Sequence, residues 1–493
     1  MNGFSVVCFG MMSSSSLRTR IALGVGLFIV LAVLGFVVGT PLTLAFLASL
    51  IACTLVAWRE PYVVLFAWAP VSLMIGWVVD LDTGEYRIGE QILHVYAEIN
   101  VGELLAISLV AAWALRLLFY WKGRRDQNWR PWFPLAVPFA LLFVAELLSM
   151  FSPALPDKFE VIKHAIRYIG FTYLVCIVLV ANFLRSKKRL KPVLAALGVN
   201  GVLFALGGVV SMVFPDGHFG IGRAMPLPTL GVNALGGNQH ALAETLIIAM
   251  GALLALGSLT KSEEQKDWIK IAVGFMFVIT LLTFSRTAWL VLVFAFVCLC
   301  ATVWRDWWTE HRTSILGTGI LLSPLALAMV IYTLSSGAMS SVDSRNMIAA
   351  IGFNAFKDSP IFGIGAGGYL QLVANTRAFF VEFGPAFDAH GIIQKVAGEL
   401  GVIGLAALAS LVYAIWMLMR QTYRTLSHGR DEREAFLYLS ILSASMFLFE
   451  CFSTTYWTPR LWLPVGLVVA TSRMFIEYEQ AKDPDFLRET NVS

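Results

Sequence analysis

Apolar runs of about 20 residues recur along the chain, and short clusters of charged side chains separate them. A helix of that length crosses the hydrocarbon core of a bilayer while satisfying all of its own backbone hydrogen bonds. The 493 residues are 58% hydrophobic and 14% charged, whereas an average soluble domain is about 45–50% apolar and about 25% charged. The pattern predicts an all-α polytopic membrane protein. It excludes a soluble enzyme, a nucleic-acid-binding protein and a disordered scaffold.

The apolar runs predict about 12–14 transmembrane helices. The candidate spans are residues 21–39, 41–58, 61–79, 101–120, 131–151, 165–183, 191–213, 240–259, 268–284, 287–304, 314–334, 400–420, 435–452 and 459–475. The predicted organisation is a cytoplasmic N-terminus (1–20), an N-terminal bundle (21–274), a core (275–420), C-terminal helices (421–475) and a cytoplasmic tail (476–493). The first span is expected to remain as an uncleaved anchor, because no small-residue cleavage site follows Val38.

The positions of lysine and arginine predict the orientation of the spans. Cytoplasmic loops are enriched in basic residues. With a cytoplasmic N-terminus, 25 of the 36 Lys and Arg residues fall on the cytoplasmic side and 11 on the outer side. The longer outer connections are then residues 80–100, 152–164, 214–239 and 335–399.

Residues 335–399 form the only large predicted loop on the outer side. Ser344–Phe356 has the spacing of an amphipathic helix that ends before Ser359-Pro360. Gly363–Gly368 predicts a flexible turn, and His390–Leu400 predicts a short helix that runs into the next span. The loop is therefore expected to contain short helices.

Ionisable residues within spans are costly and are usually functional. Those in this chain are predicted to lie in the outward-facing parts of their spans: Glu103, Glu146, Glu244, Glu450 and Arg286. No charge is predicted at a bilayer midplane, which argues against an ion-coupled transporter.

Arg286 stands in the very short connection between two spans. An arginine held there suits a phosphate whose lipid tail stays in the bilayer, because a guanidinium can bind two phosphate oxygens. Alternatively, Arg286 is an interfacial anchor or a salt-bridge partner of Glu244 or Glu450.

Other polar residues on the outer side have both a chemical and a structural interpretation. His390 can accept a proton from a sugar hydroxyl, because neutral imidazole has a pKa near the physiological range, but it can equally be a hydrogen-bonded structural residue. Lys395 and Glu399 have the spacing of a structural ion pair. Asp80-Leu-Asp82 is a D-x-D sequence of the kind that holds a metal–nucleotide in many glycosyltransferases, but acidic outer loops also produce it.

Three segments in this order resemble the O-antigen ligase and polymerase family of bacterial membrane glycosyltransferases. Ser285-Arg-Thr-Ala-Trp289 resembles the family motif that opens a span, and Asp358–Tyr369 resembles its glycine-rich segment downstream of an arginine, here Arg345. Ala389–Gly404 is similar to the segment in which a histidine, here His390, precedes E-x-G-x-x-G. The chain departs from the family at Gly391, which replaces the usual asparagine after the histidine.

The resemblance implies glycan transfer at the periplasmic face of the bacterial inner membrane, without a metal or nucleotide cofactor. The donor would be a glycan on undecaprenyl pyrophosphate, and the acceptor another glycan or lipid A core. Other polysaccharide-assembly proteins are possible partners. The residues implied in the site are His390 as acceptor base, Arg286 and Arg345 with Arg223 on the pyrophosphate, and Asn238 and Gln394 as further substrate contacts.

Within the family the chain could be a ligase or a polymerase, and the number of spans together with Gly391 favours a polymerase for O-antigen or exopolysaccharide. The alternative from another class is a flippase for lipid-linked oligosaccharide or a polysaccharide exporter. Such a protein needs a polar path through the membrane, which the outward clustering of charge does not provide.

Overall fold

The computed structural model describes residues 41–76, 78–88, 91–120, 131–152, 158–214, 222–228, 233–335, 338–426, 430–453 and 457–482. The predicted N-terminal segment 1–20, the predicted span 21–39 and residues 483–493 of the predicted tail lie outside the described residues.

The N-terminal half of the described chain is mainly helical. Its helices are α1 (Pro41–Arg59), α2 (Pro61–Val71), α3 (Val101–Tyr120), α4 (Ala136–Leu148), α5 (Lys158–His164), α6 (Val180–Phe183) and α7 (Lys187–Val213). Between α5 and α6 the backbone forms π-helical turns, so Val161–Phe183 is one continuous helical segment. This segment contains the predicted span 165–183.

The predicted outer loop 80–100 contains a β-hairpin that the hydropathy pattern did not indicate. Strands β1 (Val78–Ile88) and β2 (Gln91–Asn100) pair antiparallel, with Val78 opposite Asn100 and Asp80 opposite Glu98. The third predicted span, 61–79, is accordingly too long, because α2 ends at Val71 and the strand begins at Val78. The D-x-D sequence lies on β1.

The C-terminal half of the described chain carries most of the candidate site. Its helices are α8 (Gln239–Leu259), α9 (Glu263–Leu282), α10 (Arg286–Ala301), α11 (Arg305–Ser335), α12 (Ala338–Asp358), α13 (Gly368–Asn375), α14 (Arg377–Phe383), α15 (Ile392–Thr425), α16 (Arg430–Glu450) and α17 (Pro459–Lys482). Helices α8, α9 and α10 begin after Asn238, Ser262 and Ser285, and each of these side chains accepts a backbone N–H of the first turn. Such N-caps fix where a helix starts.

Four of the described helical segments are long and apolar enough to cross a bilayer: Val161–Phe183, Lys187–Val213, Gln239–Leu259 and Ile392–Thr425. Shorter apolar helices accompany them at Ala48–Arg59, Pro61–Val71, Ala136–Phe151 and Arg286–Ala301. Helix α8 is central, because 72% of its apolar 18-residue stretch is buried and because it packs against α7, α9 and α16. The predicted helical membrane class is confirmed, and the β-hairpin is the exception to it within the described residues.

The predicted outer segment 335–399 folds around a small apolar core of its own. Ile348 of α12, Tyr369 and Val373 of α13, and Phe379 of α14 are fully buried there, together with Ala389. The predicted helix 344–356 is part of α12. The predicted turn 363–368 is held rather than loose, because Ile364 and Gly365 donate backbone hydrogen bonds to the carbonyls of Gly398 and Glu399.

Helix α15 is broken at its tenth residue, Gly401, which has φ 61° and ψ −154°. Only glycine adopts this conformation without steric cost. A Cβ atom at this position would also lie 2.5 Å from the carbonyl oxygen of Ile361. The short helix predicted over 390–400 is therefore present as the first part of α15, and the membrane-spanning part follows the break.

Candidate active site

Arg286 is the first residue of α10, and a tight turn fixes its position. Helix α9 ends at Leu282, and Phe284 follows with φ 54°, a left-handed conformation that is uncommon for a bulky residue. Ser285 then caps α10 by accepting the N–H of Ala288 at 3.3 Å. The half-buried guanidinium thus stands at the positive end of a helix, where anions bind favourably.

Arg345 lies on α12, which the outer core holds in place. The Tyr369 hydroxyl donates a hydrogen bond of 2.8 Å to the carbonyl of Ile348, one turn after Arg345. The side chain of Arg345 is half-buried. Burial and the neighbouring charge of Arg286 both lower the pKa of Arg345, so the two guanidinium groups are close enough to repel each other.

His390 lies in a bend of the irregular segment between α14 and α15. Its imidazole contacts the Phe387 ring edge to face, with 5.3 Å between ring centroids. Burial and the positive charge of Arg345 lower the pKa of His390 to about 4, against the opposing effect of Asp388. The imidazole is therefore neutral at pH 7 and can accept a proton.

Arg223 belongs to an irregular segment beside the end of α9. The backbone N–H of Ala224 donates to the carbonyl of Leu282 at 2.9 Å, and Gly222 donates to Met212 at 2.9 Å. The Arg223 side chain is exposed. These contacts hold Arg223 next to the turn that carries Arg286.

The four predicted residues converge on His240, the second residue of α8. Arg223, Arg286, Arg345 and His390 all lie within electrostatic range of the His240 imidazole. Residues far apart in sequence are therefore brought to the same end of the structure. The sequence analysis did not predict His240 as a site residue. Its position two residues after Asn238, at the same end of the bundle as Arg286, was the signal that could have indicated this role.

Asn238 and Gln394, predicted as substrate contacts, have their side chains engaged with the protein. The Asn238 side chain caps α8 by accepting the N–H of His240 at 2.9 Å. The Gln394 amide donates to the Tyr369 hydroxyl at 2.6 Å. Asn238 thereby positions the backbone of His240. Gln394 connects α15 to Tyr369 of α13, whose hydroxyl binds α12, the helix that carries Arg345.

Three of the acids predicted within spans are paired with other residues. Within the described ranges, ion pairs join Glu103 to Arg167 at 2.9 Å, Glu146 to His164 at 3.2 Å and Glu244 to Arg460 at 3.1 Å. Lys395 lies between Asp388 and Glu399, which confirms the predicted Lys395–Glu399 pair at 3.6 Å.

The arginines of the site differ from these pairs. None of the acids in the described ranges forms an ion pair with Arg223, Arg286 or Arg345. Of the alternatives for Arg286, a salt bridge to Glu244 or to Glu450, neither forms, and Glu244 instead binds Arg460 and Ser453. Positive charge that no acid of the described ranges pairs with suits an anion with more than one negative charge.

Gly391 has no room for the asparagine that the family usually has at this position. A Cβ atom on Gly391 would lie 2.5 Å from the carbonyl oxygen of Cys451, closer than any van der Waals contact allows. The C-terminal end of α16 therefore approaches the backbone beside His390 directly. Glycine at this position allows that approach and holds His390 against the bundle.

We expect Gly391→Ala to lower the apparent melting temperature of the purified protein. Overpacking of this kind costs about 1–3 kcal/mol, because the backbone of Cys451 must move. The matched control is Gly274→Ala on α9, where a Cβ meets nothing within 4 Å. That control is expected to be neutral or slightly stabilising. Equal melting temperatures of the two variants would contradict the close approach.

Comparison with known proteins finds one family model that matches the central part of the chain. Residues 271–409 match the family model described as O-antigen ligase. The matched segment contains Arg286, Arg345 and His390, whereas Arg223 and His240 precede it. No curated protein matches the chain. The family match confirms the resemblance that the sequence motifs indicated.

Proposed function

We propose that the protein transfers a glycan from a lipid diphosphate to an acceptor hydroxyl, because residues 271–409 match the family model described as O-antigen ligase. The donor is undecaprenyl pyrophosphate carrying the glycan, and the acceptor is another glycan or lipid A core. The site faces the periplasm from the bacterial inner membrane. The observation that carries the proposal is the convergence of three arginines and His390 without an acidic partner in the described ranges.

The arginines act on the leaving group. As the bond between the anomeric carbon and the diphosphate oxygen breaks, negative charge develops on the diphosphate. Arg286 and Arg345 repel each other in the free protein, so a diphosphate between them relieves that repulsion. Guanidinium groups fixed before the reaction stabilise the developing charge without having to reorganise. Arg223, exposed at the rim, completes this grip on the diphosphate.

His390 acts on the acceptor. The neutral imidazole takes the proton from the acceptor hydroxyl as its oxygen forms the new bond to the anomeric carbon. A pKa of about 4 makes His390 a weak base, but the bound diphosphate is negative and therefore favours the imidazolium that forms during transfer. The negative charge of the bound donor thus makes His390 a stronger base.

The proposal gives no role to a metal, because guanidinium groups supply the positive charge on the diphosphate. EDTA is accordingly expected to leave transfer unchanged. Inhibition by EDTA that divalent cations reverse would favour the D-x-D sequence on β1 as a metal site instead.

The direct test is transfer by the purified full chain in detergent, with glycan-linked undecaprenyl pyrophosphate and no membrane gradient. A covalent glycan product and free lipid diphosphate are expected. A flippase or exporter would give no product in detergent and would move the lipid-linked glycan in vesicles. That outcome would overturn the proposal.

Ligase and polymerase differ in the acceptor, and we propose a polymerase. A deletion strain is then expected to display surface polysaccharide of a single repeat unit. Long polymer that remains on the lipid carrier in the deletion strain would show a ligase instead.

A further inference from the structure

We propose that His240 is a further ligand of the diphosphate and donates a hydrogen bond to it from Nε2. The assignment rests on the proposed function, because it needs a diphosphate in the arginine cluster. His240 lies outside the segment that matches the family, and its role is inferred from the contacts of its ring.

The first step is the position of the ring. His240 follows the N-cap Asn238 at the start of α8, and its imidazole Nδ1 lies 2.7 Å from the Ser285 Oγ. Ser285 is fully buried and caps α10. The imidazole is therefore attached to two helix starts at once, one through its own backbone and one through Ser285.

The second step is the position of the proton on the neutral ring. The Ser285 Oγ accepts a hydrogen bond from the N–H of Ala288, and its own O–H proton needs an acceptor. Nδ1 of His240 is the acceptor within reach at 2.7 Å. When Nδ1 accepts that bond, the neutral imidazole carries its proton on Nε2.

The third step is the environment of the other ring nitrogen of His240, Nε2. Within the described part of the chain, no residue forms a hydrogen bond with Nε2 of His240, and the charges of Arg345, Arg223 and Arg286 reach the ring. A neutral donor suits this place, because the arginines already supply positive charge and a further cation would repel them. A phosphate oxygen can accept a hydrogen bond from this N–H, and its negative charge is attracted by the arginines.

The neutral imidazole differs from the arginines in rigidity. Arginine side chains are long and have many rotamers, whereas the His240 ring is fixed by Ser285. We infer that His240 sets where the diphosphate sits in the cluster, and that the arginines neutralise its charge.

The test compares two amides at position 240 in the full chain purified in detergent, with farnesyl diphosphate as the probe. In His240→Asn the side chain amide reaches the Nδ1 position and contacts Ser285, but nothing replaces Nε2. In His240→Gln the amide nitrogen reaches the Nε2 position. A hydrogen bond to a charged group corresponds to about a tenfold or larger change in affinity. We expect His240→Asn to bind about tenfold more weakly than the wild type and His240→Gln to stay within about threefold.

A second pair of variants tests the role of Ser285. Ser285→Ala removes both a helix cap and the hydroxyl that sets the tautomer of His240. Ser262→Ala removes only the cap of α9, where the Ser262 side chain accepts the N–H of Gln265. We expect weaker binding of farnesyl diphosphate in Ser285→Ala and unchanged binding in Ser262→Ala.

The outcomes separate this inference from the proposed function. If the wild type binds farnesyl diphosphate and Arg286→Ala does not, the diphosphate site stands. Equal affinities of His240→Asn and His240→Gln, together with equal affinities of the two serine variants, would then overturn the role of His240 alone. No binding by the wild type, or equal binding by the wild type and Arg286→Ala, would overturn the diphosphate site itself.

Discussion

Arg286→Ala is expected to lower glycan transfer by about 100-fold or more, while the protein still inserts and folds. Removal of one fixed donor that stabilises developing negative charge costs about 100- to 1,000-fold in rate. Arg286 has no acidic partner in the described ranges, so its loss leaves no buried acid without its counter-ion. The substitution also removes the repulsion between Arg286 and Arg345, so we expect the apparent melting temperature to equal or exceed that of the wild type.

The experiment measures transfer and melting temperature on the same preparations. The matched control is Arg377→Ala, which removes an exposed arginine of the same outer segment from the start of α14. Arg286→Lys is expected to be intermediate, because lysine keeps the charge but loses the bidentate fork. Full transfer by Arg286→Ala would remove the donor site from the mechanism.

His390→Ala is expected to slow transfer by about 100- to 10,000-fold, the usual contribution of a general base. Binding of farnesyl diphosphate should change little, because the arginines remain. The control is His311→Ala, which removes an exposed histidine that stacks on Trp307 of α11. A proportional loss of diphosphate binding in His390→Ala would assign His390 to the donor instead of the acceptor.

The pH dependence gives an independent check on His390. Its lowered pKa of about 4 means that the imidazole stays neutral as the pH falls, and protonation removes the base only near pH 4. A histidine with the ordinary pKa of about 6.5 would be only about 10% neutral at pH 5.5. We therefore expect kcat/KM, which reports the free enzyme, to change by less than about twofold between pH 7 and pH 5.5. A decrease of about eightfold over that range, as for a pKa of about 6.5, would contradict the environment described for His390.

The helices of the bundle were predictable from the sequence because burial in lipid imposes a simple pattern. The predicted spans 191–213 and 240–259 differ from α7 and α8 by a few residues. The outer helix around Arg345 was predictable from its amphipathic spacing and from Ser359-Pro360 after it. Local signals such as these need no knowledge of distant contacts.

The arrangement of the site depends on contacts that no local signal shows. No local signal distinguishes Arg460 from Arg286, and the difference lies in the pairing of Arg460 with Glu244, 216 positions away. His240 gains its place from Ser285, 45 positions later. The β-hairpin was missed because span prediction weighs hydropathy, whereas strands depend on alternation and on a partner strand.

The small core of the outer segment divides the proposed catalytic centre between two modules. Arg345 and His390 are held by this core, whereas Arg223, His240 and Arg286 are held by the bundle. Acceptor preference can therefore diverge by changes around His390 within one module, provided that an arginine stays at the position of Arg345 for the carrier lipid. A chimaera that exchanges residues 335–399 between two such proteins, both with this arginine, should keep the carrier and change the sugar that receives the chain.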